Sequence, residues 1–427
     1  MPVKWRWILG HEGFKRYLAN TGWMFIGQMF GLLLSFFIGV WVVRYLGPEN
    51  YGVLSYALAF TTIFSFISNL GVDNILSREL VKFPEKRDEL MGTAFRLKLI
   101  GGIIAFIVTI GAIFLIKTSP AIKFLVIIHS FVFLFYSINV IGSFFQSRVE
   151  ARKNVKAQIL SSSISSILKI IMILSGLGVI WLMLIYMLDA LWLAVILIFS
   201  YRRSGFKIRT WRFNKVLARQ IFSSSWILML TTASILVYLK IDQVIIKQIL
   251  DETAVGLYSA AIKLSEVWYF IPGIICGSLF PAIINSKKTN QASYFNRLKK
   301  LSGLMFFIGL VIAVLVSLLA RPIILVLFGN EYLESISVLR IYAWSIIGVF
   351  LGSVSANYLI AENYVKIYFW VSLMGAVTNV LLNLWLIPIM GIDGAAIATV
   401  ISYSLVVLGL LFFRNSRKDL FLIFSSK

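Results

Sequence analysis

The chain has 427 residues, 59% of them hydrophobic and 14% charged, with a mean hydropathy of +0.90; a soluble domain needs about 25% charged residues to cover its surface, so this is a membrane protein. The net charge of +22 invites a polyanionic partner, but its meaning depends on where the cations lie. A single cysteine, Cys276, sits in an apolar run, and only His11 and His129 are available as imidazoles; neither an internal disulfide nor a zinc spacing is possible, and no metal or cofactor is expected.

From the N-terminus, the stretch MPVKWRWILGHEGFKRYLAN is basic and somewhat amphipathic. It lacks an apolar core followed by a small-residue cleavage site, so it is not read as a removed signal peptide. A bilayer core takes about 20 apolar residues per helix. On that rule twelve spans follow, near residues 21–43, 51–72, 95–116, 121–145, 157–178, 179–200, 221–245, 255–284, 302–320, 336–360, 365–389 and 392–413. Between the second and third spans, FPEKRDEL (83–90) reads as an interfacial helix. The turn SGLGVIW between the fifth and sixth spans is very tight, and if those two were one bent span every later helix would reverse.

The cations test this count, because cytoplasmic loops collect Lys and Arg. Alternate segments, starting with the N-terminus, hold 31 of the 40 basic residues, including Arg78 to Lys98 and Arg202 to Arg219. The opposite segments and helix ends hold 7, namely Arg44, Lys117, Lys123, Lys240, Lys247, Arg321 and Arg340. Lys169 and Lys263 remain inside spans. The split supports twelve helices with both termini in the cytoplasm, in a cytoplasmic (inner) membrane, and accounts for most of the charge without nucleic acid.

The chain also repeats itself. RYLGPENYGVLSYAL (44–58) and QILDETAVGLYSAAI (248–262) lie 204 residues apart, with Leu46 over Leu250, Gly52 over Gly256, Ser55 over Ser259 and Ala57 over Ala261. A weaker echo sets Gly142-Ser143 and Val155-Lys156 against 352–353 and 365–366. A fixed internal period marks a duplicated unit, and an even number of spans between the echoes makes the repeat parallel. The expected fold class is therefore an all-α membrane protein of two six-helix lobes related by a parallel pseudo-twofold axis: an N-lobe over residues 1–201, a cytoplasmic linker over 202–220 and a C-lobe over 221–427.

Four stretches, RYLGPENYGVLSYAL, KIDQVIIKQILDETAVGLYSAAIKLSE, LFGNEYLES and LIPIMGIDGAAIATVISY, spread over essentially the whole chain, resemble the Wzx-type polysaccharide (O-antigen) flippases of the multidrug/oligosaccharidyl-lipid/polysaccharide exporter superfamily. The resemblance implies a V-shaped, MATE-like bundle of six plus six helices. It implies a transporter that is not an enzyme and that flips a polyprenyl-pyrophosphate-linked oligosaccharide from the inner to the outer leaflet by alternating access. Glycosyltransferases and a polysaccharide polymerase are the partners such a protein would have, with membrane lipids around it and H⁺ or Na⁺ as a coupling ion. The glycines of the motifs are read as packing positions instead of cargo contacts: Gly47, Gly52 and Gly256 at helix ends, and Gly27, Gly31, Ser35 and Gly39 as a smooth stripe.

Charges at bilayer depth cost about 2.5–3.5 kcal/mol on insertion scales and turn toward a partner or a wet cavity. Phosphate oxygens want cationic donors, so the candidates for the anionic head group are Lys263, Lys240, Lys169 and Arg44. Asp242, Glu266 and Asp189 are the candidates for balancing those charges, binding a coupling ion or carrying a proton. Ser259, Lys263 and Glu266 share one helical face, as do Ser234, Tyr238 and Asp242, while Lys240 lies roughly 160° from Asp242. Plainer roles stay open: Lys263 with Glu266, or Lys169 with Asp189, as structural pairs, and Arg44 and Lys240 reaching lipid head groups.

Two rivals differ in what they require. A membrane polymerase or ligase needs a catalytic group on a sizeable outer loop, and here the outer loops are short and lack paired carboxylates or a triad. A cation-coupled multidrug exporter of the same superfamily needs acids deep in the N-lobe, where only Asp189 is found.

Overall fold

The computed structural model describes residues 12–287, 290–409 and 413, with side chains described from residue 20 onward. The basic N-terminal side chains Lys4, Arg6, Lys15 and Arg16, together with Lys288 and the tail from Arg414 to Lys427, lie outside the described residues. Among the described residues there are only helices and turns, and ten helical stretches are long and apolar enough to cross a membrane.

Helix α1 (Glu12–Asn69) is followed by α2 (Val72–Lys82), α3 (Arg87–Leu115), α4 (Pro120–Ser130), α5 (Val132–Phe135), α6 (Val140–Ser147), α7 (Ala151–Leu174) and α8 (Val179–Arg203). Then come α9 (Lys215–Ile249), α10 (Glu252–Glu266), α11 (Phe270–Lys287), α12 (Gln291–Leu318), α13 (Ala320–Leu327), α14 (Ser335–Tyr342), α15 (Ser345–Ala361) and α16 (Val365–Leu408). With 58 residues, α1 would extend about 87 Å at 1.5 Å per residue, far beyond the hydrocarbon core. It is broken at Gly47 (φ 69°, ψ 172°) just before Pro48. The 44-residue α16 is broken likewise at Gly391 (φ 60°, ψ −140°), three residues after Pro388. Both breaks need a positive φ that only glycine adopts cheaply, and Pro removes a helical N–H beside each. They fall where the hydropathy pattern separates the first span from the second and the eleventh from the twelfth.

The second span ends at Asn69, close to the expected limit, and after a bend at Leu70 (φ 52°) and Gly71 (φ 65°) a further helix, α2, follows. FPEKRDEL is not a separate interfacial helix. Pro84–Lys86 form a 3₁₀ turn and Arg87 already begins α3, where Asp88 and Glu89 in the first turn favour the positive end of the helix dipole. The tight turn after the fifth span is a true reversal, with α7 and α8 separated at Ser175–Gly178 and Gly176 at φ 68°.

The basic segment after α8 is held by specific bonds. The Arg212 amide donates to the Asp88 carbonyl at 3.1 Å, the Asn214 amide to Thr93 Oγ1 at 3.0 Å and Asn214 Nδ2 to Glu89 at 3.0 Å. Asn214 Oδ1 in turn accepts from the Val216 and Leu217 amides, capping the start of α9.

Contacts divide the chain into two compact units, residues 1–42 with 64–229, and residues 43–63 with 230–427. The first has a core of Leu76, Met91, Phe144, Phe145, Tyr201 and neighbours, the second one of Met305, Ile346, Phe350, Tyr294 and neighbours. These units are cut elsewhere than the expected lobes, since residues 43–63 pack within the second. There the two copies of the echo meet. A Cβ added to Gly52 would overlap the Glu252 carbonyl, and one added to Gly256 would overlap the Pro48 carbonyl. Pro48 and Glu252 are themselves 204 residues apart, so the contact is reciprocal: each copy offers the same two positions to the other.

Candidate functional site

In the first unit a cavity of 210 Å³ opens between the first half of α1 and helices α7 and α8. Small residues of α1, Gly31, Ser35 and Gly39, leave the space, and α7 supplies Ser162, Ser165, Ser166 and Lys169 to its wall. Spacings of three and four put these on one face of α7. Tyr186 and Asp189 of α8 complete the lining. The Lys169 ammonium sits 4.0 Å from the Tyr186 ring centroid, a cation–π arrangement that holds the charge beside the cavity. Asp189 accepts from Ser165 at 2.7 Å and Ser161 at 3.0 Å, so serine hydroxyls satisfy its carboxylate. Lys169 and Asp189 thus line one cavity, yet no salt bridge joins them among the described residues. The site can place one cation and several hydroxyls against an anionic group.

The other candidates lie in the second unit and do different things. Lys240 pairs with Glu266 at 3.3 Å, so a partner of Glu266 comes from another helix, α9. Lys263 lies 5.9 Å from the Tyr51 ring centroid. Arg44 is exposed. Asp242 is 3% exposed on the opposite side of α9 from Lys240, as the helical geometry requires, and is enclosed by donors. Its Oδ2 accepts from the Tyr258 hydroxyl at 2.6 Å and from the Thr399 hydroxyl, and its Oδ1 accepts from Asn383 Nδ2 at 2.7 Å. Asn379 lies beside them, and Asn383 Oδ1 is buried there with no hydrogen-bond partner among the described residues. Hydroxyl and amide donors thus compensate the buried carboxylate.

Sequence reasoning passed over several of these groups. Asn379 and Asn383, four apart on an otherwise apolar span, were the legible signal for the Asp242 network. Lys98 was counted with the inner basic segment, but its side chain is 0% exposed and its ammonium reaches both Asp73 oxygens at 2.8 and 2.9 Å. Ser143 also donates to Asp73 at 3.3 Å. Arg78 and Glu79 form a surface pair at 3.1 Å.

A family model described as polysaccharide biosynthesis protein matches residues 17–287, well over half of the chain. The chain belongs to the polysaccharide biosynthesis protein family. Relatives of this family member include the capsular polysaccharide biosynthesis protein CapF of Staphylococcus aureus, 21% identical over 93% of this chain and 98% of that protein. The probable flippase AglR of Haloferax volcanii is 28% identical over 39% of this chain, a match that spans only 36% of that relative's length. Among solved structures, a multidrug resistance MATE family transporter of the MOP superfamily in an inward-facing conformation superposes with a TM-score of 0.75 at 16% identity, covering 93% of this chain and 96% of that one. The lipid II flippase MurJ in an inward closed conformation gives 0.68 at 17% identity, covering 95% and 92%. The family member therefore has the all-helical MATE-like fold in a multi-pass membrane protein, and the resemblance to polysaccharide flippases seen in its motifs agrees with both its family and its fold.

Proposed function

We propose that this polysaccharide biosynthesis family member flips a polyprenyl-pyrophosphate-linked oligosaccharide from the inner to the outer leaflet of the cytoplasmic membrane by alternating access. The observation that carries the reading is the Lys169 cavity: a cation held at membrane depth beside open polar space, where an anion is the natural occupant. The names of the two curated relatives, one a probable flippase and one a capsular polysaccharide protein, support the same cargo class. On this reading the two broken helices each count twice, making twelve spans with both termini cytoplasmic. The lobes are residues 1–201 and 221–427, joined by the linker 202–220. Lys169, Lys240, Lys263 and Arg44 serve the pyrophosphate during the cycle, Asp242 binds a coupling H⁺ or Na⁺, Glu266 balances Lys240 and Asp189 orients the serines of the cavity. Glycosyltransferases supply the cargo and a polymerase takes it up. A drug exporter for cationic compounds fits less well, because the one acid lining this cavity is already engaged by two serines.

The test is reconstitution in vesicles with a fluorescent short-chain polyprenyl-pyrophosphate oligosaccharide, scoring the lipid that reaches the far leaflet. Lys169→Ala and Lys263→Ala are expected to slow flipping at unchanged protein content, and Asp242→Asn to flatten its dependence on a Na⁺ or pH gradient. Wild-type vesicles that move a cationic dye but no lipid-linked glycan would refute the proposal.

A further inference from the structure

Helices α1 and α7 run parallel and in register. The Ala151 amide donates to Asn20 Oδ1 at 2.6 Å, and further along the bare Cα of Gly27 lies against the Val155 side chain. This register brings Gln28 and Gln158 together on the wall of a second cavity, 250 Å³ in volume, which also includes Gly31 and Ser162. Those last two residues line the Lys169 cavity as well, so the two spaces adjoin. Gln158 precedes Lys169 by three helical turns, about 16 Å along the axis at 1.5 Å per residue.

The chemistry changes along this furrow. At one end stands a cation among serines. At the other stand two uncharged amides near the starts of their spans, both exposed and both on the cavity wall. Each glutamine offers two N–H donors and a carbonyl acceptor, which matches neighbouring sugar hydroxyls that both donate and accept. An amide carries no charge to attract phosphate.

We propose that the Gln28–Gln158 cavity is a sugar subsite, holding the first sugars of the glycan while Lys169 holds the phosphate to which they are attached. The assignment rests on the flippase reading and adds to it the two residues that recognise the carbohydrate. Uncharged amides make the site tolerant of phosphate-free and phosphate-bearing neighbours alike, and leave discrimination to hydroxyl geometry.

The test uses full-length purified protein in nanodiscs and two probes: a short-chain polyprenyl pyrophosphate, and the same lipid carrying a short oligosaccharide of hexose or N-acetylhexosamine residues, long enough to reach from Lys169 to the glutamines. Wild type should bind a sugar-bearing probe about tenfold more tightly than the bare one, the worth of two or three net hydrogen bonds. Gln28→Leu with Gln158→Leu should erase that difference and leave affinity for the bare lipid unchanged. Leu is apolar and helix-compatible, and a thermal melt reports the variant's fold; the single Gln158→Leu, with an intermediate loss, provides a second reading. Lys169→Met should weaken both probes alike. A sugar preference that survives both glutamine replacements, or a wild type that shows no preference, overturns the subsite while the phosphate reading stands. Binding of neither probe to wild type overturns the flippase reading itself.

Discussion

Lys98 illustrates how one side chain can be fully enclosed and still charged. Its ammonium is matched by both oxygens of Asp73, whose own side chain is 42% exposed, so the pair straddles the border between core and solvent. Removing one partner of a buried pair strands the other charge, whereas removing both leaves none to strand. Asp73→Asn is expected to cost about 2–3 kcal/mol, below the full buried-pair range because solvent screens the exposed partner. Adding Lys98→Met should restore most of that loss in a thermal melt. If the double variant melts no higher than Asp73→Asn, the ammonium is not what the carboxylate stabilises. The Asp242 network differs in kind, since hydroxyl and amide donors from α10 and α16 converge on one carboxylate.

At the scale of elements, small residues decide how closely helices cross. Gly52 and Gly256 let the second half of α1 and the start of α10 meet backbone to backbone, and a methyl group at either position overlaps a carbonyl. Gly52→Ala or Gly256→Ala should therefore destabilise by about 3 kcal/mol or more, at the upper end of overpacking costs. Gly111, in α3, has nothing within 4 Å of an added Cβ. Gly111→Ala should be neutral or raise stability by up to about 1 kcal/mol through helix propensity. Melting temperatures of the three variants check the contrast, and equal effects at Gly52 and Gly111 would show that the crossing is looser than the coordinates place it. In membranes such crossings matter more than hydrophobicity, because lipid tails are as apolar as leucine.

For the whole molecule the prediction is topological. Twelve spans put the segments around Lys207 and Lys300 on the cytoplasmic side and Lys117 on the other. In a Cys276→Ser background, a membrane-impermeant thiol reagent applied to intact cells should label a cysteine at Lys117 and leave cysteines at Lys207 and Lys300 unlabelled until the cells are opened. Labelling of Lys117→Cys and Lys207→Cys from the same side would break the count. The bonds from Arg212 and Asn214 to the start of α3 fix residues 212–214 within the first unit.

Hydropathy and the placement of Lys and Arg were enough to establish a multi-pass helical protein, because a bilayer imposes length and sidedness on every span independently of its neighbours. The four-residue spacing of Gly31, Ser35 and Gly39 and the solitary Lys169 were also readable one helix at a time. Which charges pair was not, because a partner is chosen in three dimensions. Glu266 takes Lys240 from another helix, Asp242 collects Tyr258, Asn383 and Thr399 from three segments, and Lys98 finds Asp73 across a bend. The furrow likewise exists only through the register of α1 on α7. Periodicity specifies the face a residue presents, and packing alone decides what stands opposite.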